Sequence, residues 1–208
     1  MSRSSMLENI NSIELIGTVA SPVEYSHSIC GEAFYNTKLA VKRLSGTEDN
    51  IPVTISERLL GSMEAECGMR FYVHGQIRSY NQRGESGNRL IITVFAREIR
   101  PAYEDETDLN AARLSGYICK SVVYRTTPFE REIADILIAV NRRYNKSDYL
   151  PLIAWGRNAR FLSGAAIGTE LSVVGRLQSR EYKKLLEDGS EQMRTAYEVS
   201  CSAVEAGV

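Results

Sequence analysis

The sequence reads nearly the same twice. Leu15-Ile16-Gly17-Thr18-Val19 recurs 99 residues on as Leu114-Ser115-Gly116-Tyr117-Ile118, Leu39-Ala40-Val41 as Ile138-Ala139-Val140, and Ile51-Pro52-Val53 as Leu150-Pro151-Leu152. Val73-His74-Gly75-Gln76-Ile77-Arg78-Ser79 recurs 100 residues on as Val173-Val174-Gly175-Arg176-Leu177-Gln178-Ser179. A slip of one residue in about a hundred amounts to one loop insertion, so the chain of 208 residues is read as two copies of one structural unit. The acidic stretch Glu104-Asp105-Glu106 falls between them and reads as a linker. The expected organisation is a first domain over 1–103, a linker over 104–110 and a second domain over 111–208.

Within each copy, β-branched and aromatic residues alternate with polar ones between turn signals, a period of two that argues for strands. They are expected near 13–20, 33–43, 50–56, 70–80 and 89–97, and again near 112–119, 132–142, 149–155, 170–182 and 193–203. Leu59, Leu60 and Met63 predict a helix over 56–65, and Phe161 with Leu162 one over 158–166. Five strands with a helix between the third and fourth is the order of an OB-fold, a small Greek-key barrel that binds oligonucleotides across strands two and three. The expected class is therefore all-β with short helices, as two tandem OB barrels. Gly75 and Gly175 stand mid-strand, where the fourth strand would bend at a barrel corner.

What is missing narrows the chemistry. Apolar residues make up 43% and charged residues 25%, with net charge −1, which excludes global disorder. No apolar run approaches the length of a bilayer-spanning helix, and Met1 to Leu7 does not lead into a signal-peptide core, so a cytoplasmic protein without membrane contact is expected. Cys30, Cys67, Cys119 and Cys201 are scattered without a CxxC pair and read as reduced thiols. His27 and His74 are the only histidines and belong to no metal-ligand spacing. Phosphate-cradling glycine loops and nucleophile elbows are absent too. A binding protein is expected rather than an enzyme, with no metal and no cofactor.

The second copy carries the candidate site. Side chains alternate along a strand, so Leu150, Leu152 and Ala154 face the core while Tyr149, Pro151, Ile153 and Trp155 face outward. On the next strand Leu171, Val173, Gly175 and Leu177 take the core, and Arg176, Gln178, Arg180 and Tyr182 the opposite face. From Arg142 to Lys184 nine basic residues stand against three acidic ones. Aromatics interleaved with arginines on an open sheet suit a single strand, because every base offers a π-face and every phosphate a charge.

Three blocks make this specific: Ala139-Val140-Asn141-Arg142-Arg143-Tyr144, then Tyr149 to Ala159 with Trp155-Gly156-Arg157 at its centre, then Gly175 to Tyr182. In this order and spacing they resemble the bacterial single-stranded DNA-binding protein (SSB) family. The resemblance is close over 112–204 and diluted over 11–100. It implies base stacking on Tyr144, Tyr149, Trp155 and Tyr182, with Arg142, Arg143, Lys146, Arg157, Arg176, Arg180 and Lys183 as the cationic part of the site. Single-stranded DNA is the implied ligand, in replication, recombination or repair, bound without reading its sequence. Since SSB chains with one OB domain form tetramers, a chain with two should reach four barrels as a homodimer.

The copies are unequal. The stacking positions fall on Ser45, Asn50, Ser56 and Gln82 in the first copy, which retains Tyr72, Arg78 and Tyr80 on its fourth strand. The family's acidic recruitment tail has no counterpart after Glu205-Ala206-Gly207-Val208, so protein partners recruited through such a tail are not expected. An OB-fold protein-interaction module of a primosome-like or recombination assembly is the alternative reading, and a binder of structured RNA a weaker third, since fold does not fix function.

Overall fold

The computed structural model describes residues 10–207 except 62, 64, 85–86 and 186–188; the segment Met1 to Leu7 and two positions of the first expected helix lie outside the described residues. The first repeat runs β1 (Asn11–Val19), β2 (Glu24–Ile29), β3 (Glu32–Lys42), β4 (Glu48–Ser56), α1 (Glu57–Leu60), β5 (Arg70–Gly84) and β6 (Gly87–Pro101). The second repeats that order as β7 (Leu109–Ile118), β8 (Val123–Thr126), β9 (Glu132–Arg142), β10 (Lys146–Trp155), α2 (Arg157–Leu162), β11 (Glu170–Leu185) and β12 (Glu191–Ala206).

Each repeat closes a five-stranded barrel. In the first, β1 pairs with β3 and β5, β3 with β4, β4 with β6 in parallel, and β6 with β5. The second closes in the same way through β7, β9, β10, β12 and β11. These are OB-folds, with the helix between the third and fourth barrel strands as expected. Two differences stand out. Segments β2 and β8 add an exposed arm beside β3 and β9 that the hydrophobic pattern does not announce, because all their residues are exposed and no core face selects a period. The helices are shorter than expected, a single turn in α1, which plugs the barrel end with half-buried Leu59 and Leu60.

The cores follow the alternation. Ile13, Leu15, Leu39, Ile51, Val53, Val73 and Ile77 fill the first barrel, and Leu114, Ile138, Leu150, Leu152, Leu171, Val173 and Leu177 the second. Gly75 and Gly175 sit at register shifts in β5 and β11, where an added Cβ would lie 2.4 Å from the Phe95 carbonyl oxygen and 2.3 Å from that of Ser200. No side chain fits at such a corner.

The repeats join through β1 and β7, which run antiparallel with Asn11 opposite Leu114 and Leu15 opposite Asn110. Since Asn11 corresponds to Asn110 and Leu15 to Leu114, the duplication in sequence becomes a pseudo-twofold axis in space. Asn11 ties β1 to β5 within its own barrel by donating to the Ile77 carbonyl and accepting from its N–H, both at 2.8 Å; Asn110 ties β7 to β11 in the same way through Leu177 at 2.7 and 3.0 Å. The acidic connection is pinned to the barrels. Glu106 binds Arg100 through both oxygens at 2.7 and 2.9 Å, while Asp108 pairs with Arg70 at 2.8 Å and accepts the Lys42 N–H. Among the described residues no helix is long and apolar enough to cross a membrane, and no three His, Cys, Asp or Glu side chains converge as a metal site would require.

Candidate nucleic-acid interface

Trp155 ends β10 on the side away from the core residues Leu150, Leu152 and Ala154, and Gly156, at φ +52°, turns the chain into α2 behind it. The indole is left 40% exposed on the wall of a groove of about 600 Å3 floored by Ile133 and Ile153. Arg176 and Arg180 reach the groove from β11, Arg125 from β8 and Arg131 from the turn after it. A fifth arginine, Arg43, comes from the first repeat, held by Asp49 in a bidentate pair at 2.6 and 2.7 Å. That hydrogen bond raises the Arg43 pKa further above its ordinary value. Glu198 is the one acid among the lining residues, and its oxygen already accepts from Gln178 at 2.9 Å. Concentrated positive charge beside an indole face attracts phosphates and offers a base a surface to stack on.

The structure brings together three of the expected residues, Trp155, Arg176 and Arg180. Tyr182 lines an adjoining cleft of about 470 Å3 between the repeats, with Pro151, Arg89, Arg194 and Tyr197. Tyr149, 46% exposed, lies on the seam, its N–H donated to the Ser79 hydroxyl at 2.7 Å. Tyr144 is 91% exposed in the β9–β10 turn, where it and Asn145 both have positive φ, as a tight hairpin connection demands. Arg143, Lys146 and Arg157 are exposed, and Lys183 pairs with Glu191 at 2.7 Å. Arg142 leaves the Trp155 groove altogether: it lies 3.3 Å from Asp148 and lines the groove of the first repeat.

That exchange was not legible in the sequence. Arg43 and Arg142 are the same position of the two repeats, and the pseudo-twofold axis sends each into the other's groove. Arg125 and Arg131 were missed because they ride on the arm that carries no hydrophobic period. In the first repeat Arg78 and Tyr80 line the groove, whereas Tyr72 sits elsewhere, under Arg100 (4.4 Å to the ring centroid) and bonded to Glu14 at 2.9 Å. Burial, with that hydrogen bond second, pushes the Tyr72 pKa up to about 12. Ser56, the counterpart of Trp155, is buried and caps α1 by accepting the Leu59 N–H.

The model of the single-strand binding protein family matches residues 109–206, the whole of the second barrel. Over that repeat the chain is similar to the SSB family. Single-stranded DNA-binding protein 1 of Streptococcus pyogenes serotype M18 is 30% identical over 82 residues, which are 36% of this chain and 63% of that protein. The corresponding protein of Streptococcus mutans is 29% identical over 82 residues, 36% of this chain and 50% of its own length. The chain thus spans between half and under two thirds of the curated SSB relatives it matches. Among solved structures, a deletion mutant of the single-stranded DNA binding protein from Thermus aquaticus superposes with TM-score 0.74 at 23% identity, covering 96% of this chain and 95% of that one, a likeness of fold. The N-terminal domain of a PriB protein from Thermoanaerobacter tencongensis aligns along its whole length with 47% of this chain at 47% identity and TM-score 0.42.

Proposed function

We propose that this protein binds single-stranded DNA, without reading its sequence, in the groove of the second repeat, and so shields exposed strands during replication, recombination or repair. The observation that carries the reading is the half-exposed Trp155 among Arg43, Arg125, Arg131, Arg176 and Arg180. Stacking on one indole and attraction of phosphates by five guanidinium groups serve any base order, since neither contact touches a base edge. Trp155 is the only tryptophan, so its emission reports on this groove without a label. Oligo-dT quenches it under this reading, and duplex DNA of equal length does so only at higher concentration. Unchanged emission at saturating oligo-dT would instead favour an interaction module.

The same reading includes assembly as a homodimer carrying four barrels, supported by the way one chain already pairs two barrels about an axis. Light scattering on the eluting protein measures twice the chain mass under this reading, and a single chain mass at micromolar concentration rejects it.

A further inference from the structure

The first repeat has a groove of its own, about 470 Å3, and its lining is a different chemistry rather than a worn copy. By the repeat offset, Ser26 stands where the second repeat has Arg125, Asn36 where it has Asp135, and Thr54 where it has Ile153. These neutral groups are wired together. Thr54 donates to Asn36 Oδ1 at 2.8 Å and shares a hydrogen bond with Thr93 at 2.9 Å, while Asn36 Nδ2 donates to the Ser26 hydroxyl at 3.0 Å, which also bonds His27 Nδ1 at 3.0 Å. The relay holds its members in fixed orientations. It also leaves valences over: the Asn36 amide keeps a second hydrogen and the hydroxyl oxygens further lone pairs.

Phe95 and Tyr80 supply aromatic surface beside the relay, Phe95 fixed by Phe34 at 5.6 Å between ring centroids. Cationic groups complete the lining. Arg78, whose pKa burial lowers, donates to Asp148 at 3.0 Å, and Arg142 of the second repeat sits 3.3 Å from the same carboxylate with its Nε lacking any hydrogen-bond partner.

We propose that this groove is a second, base-reading site for single-stranded nucleic acid. One base lies against Phe95 and Tyr80 with its edge on the Asn36, Thr54 and Ser26 relay, and the neighbouring phosphate meets Arg142. A pocket that hydrogen-bonds an edge rejects a base whose donors and acceptors do not match, because the oriented groups are then left unpaired. The first repeat therefore discriminates among bases where the second does not. This rests on the single strand being the protein's ligand, as proposed above.

Calorimetry with the hexanucleotides dT6, dC6 and dA6, run beside Trp155 fluorescence, separates the two sites. The full chain takes up two strands per chain, one with affinities differing at least tenfold between its best and worst hexanucleotide. Asn36→Ala and, on the exposed arm where folding is not at stake, His27→Ala each abolish that discrimination and leave Trp155 quenching within twofold of the parent. One strand per chain with Trp155 quenched overturns the second site alone. Two strands bound without discrimination, or the same base ranking in both variants as in the parent, overturn base reading. Absence of Trp155 quenching counts against the proposed function, while the variants still judge the first groove.

Discussion

The carboxylate of Asp148 accepts the backbone N–H of Ser79 across the seam at 2.7 Å, and Asp49 accepts that of Ser179 at 2.8 Å in the twofold-related place. Both aspartates are fully buried. Each also grips the arginine that its own repeat sends into the other's groove, Arg142 for Asp148 and Arg43 for Asp49. One carboxylate thus locks the barrels together and aims a binding side chain, coupling interface to site. Removing Asp148 leaves a strand N–H and two guanidinium groups, those of Arg78 and Arg142, short of their partner. Asp148→Ala is expected to lower stability by about 3 to 5 kcal/mol, the cost of breaking a buried ion pair from one side. Urea unfolding measures it, and a loss under about 1 kcal/mol would show that water replaces the carboxylate.

Binding in the second groove is expected to be electrostatic. The logarithm of affinity for oligo-dT falls with the logarithm of salt concentration at a slope of about −0.7 per phosphate neutralised. Trp155→Ala weakens binding by about 1 to 3 kcal/mol, the scale of one lost stack. Ser56→Ala at the matching position leaves Trp155 quenching in place and lowers stability by about 1 kcal/mol, because this hydroxyl caps a helix instead of facing a ligand. Salt titration followed by fluorescence reads the slope and the two variants together.

Gly175→Ala would place a methyl group 2.3 Å from the Ser200 carbonyl oxygen, and the backbone of β12 has to move to admit it. The expected cost is about 1 to 3 kcal/mol, as for other overpacked sites. Thermal unfolding checks this, with Gly164→Ala as the control, since nothing lies within 4 Å of an added Cβ there.

The connection between the barrels has its own pH signature. The Arg100 guanidinium, helped by the Tyr103 N–H, holds the Glu106 carboxyl down at about 2. A depressed folded-state pKa stabilises the native chain above the unfolded value, about 4.3, and that contribution is lost as pH falls toward 2. Glu106→Gln should therefore flatten the acid side of the stability curve between about pH 4 and pH 2 and leave the neutral side parallel to the parent. An NMR titration placing the Glu106 midpoint near 4 would remove the basis for this.

Much of the protein was legible along the chain. Alternation placed Leu150, Leu152 and Ala154 inside and Trp155 outside, because a strand's side chains have nowhere else to point. The internal repeat declared two barrels, and mid-strand glycines marked their corners. The arms at Glu24–Ile29 and Val123–Thr126 stayed silent because wholly exposed residues obey no period. The exchange of Arg43 and Arg142 was equally hidden. Hydrogen bonds across a seam depend on how two barrels are rotated about each other, and that rotation is decided by the pairing of Asn11 with Leu114 and Leu15 with Asn110. Local pattern specifies what each barrel is made of; which barrel completes which groove is settled only when β1 and β7 meet, since the hydrogen bonds that orient them join residues about a hundred positions apart.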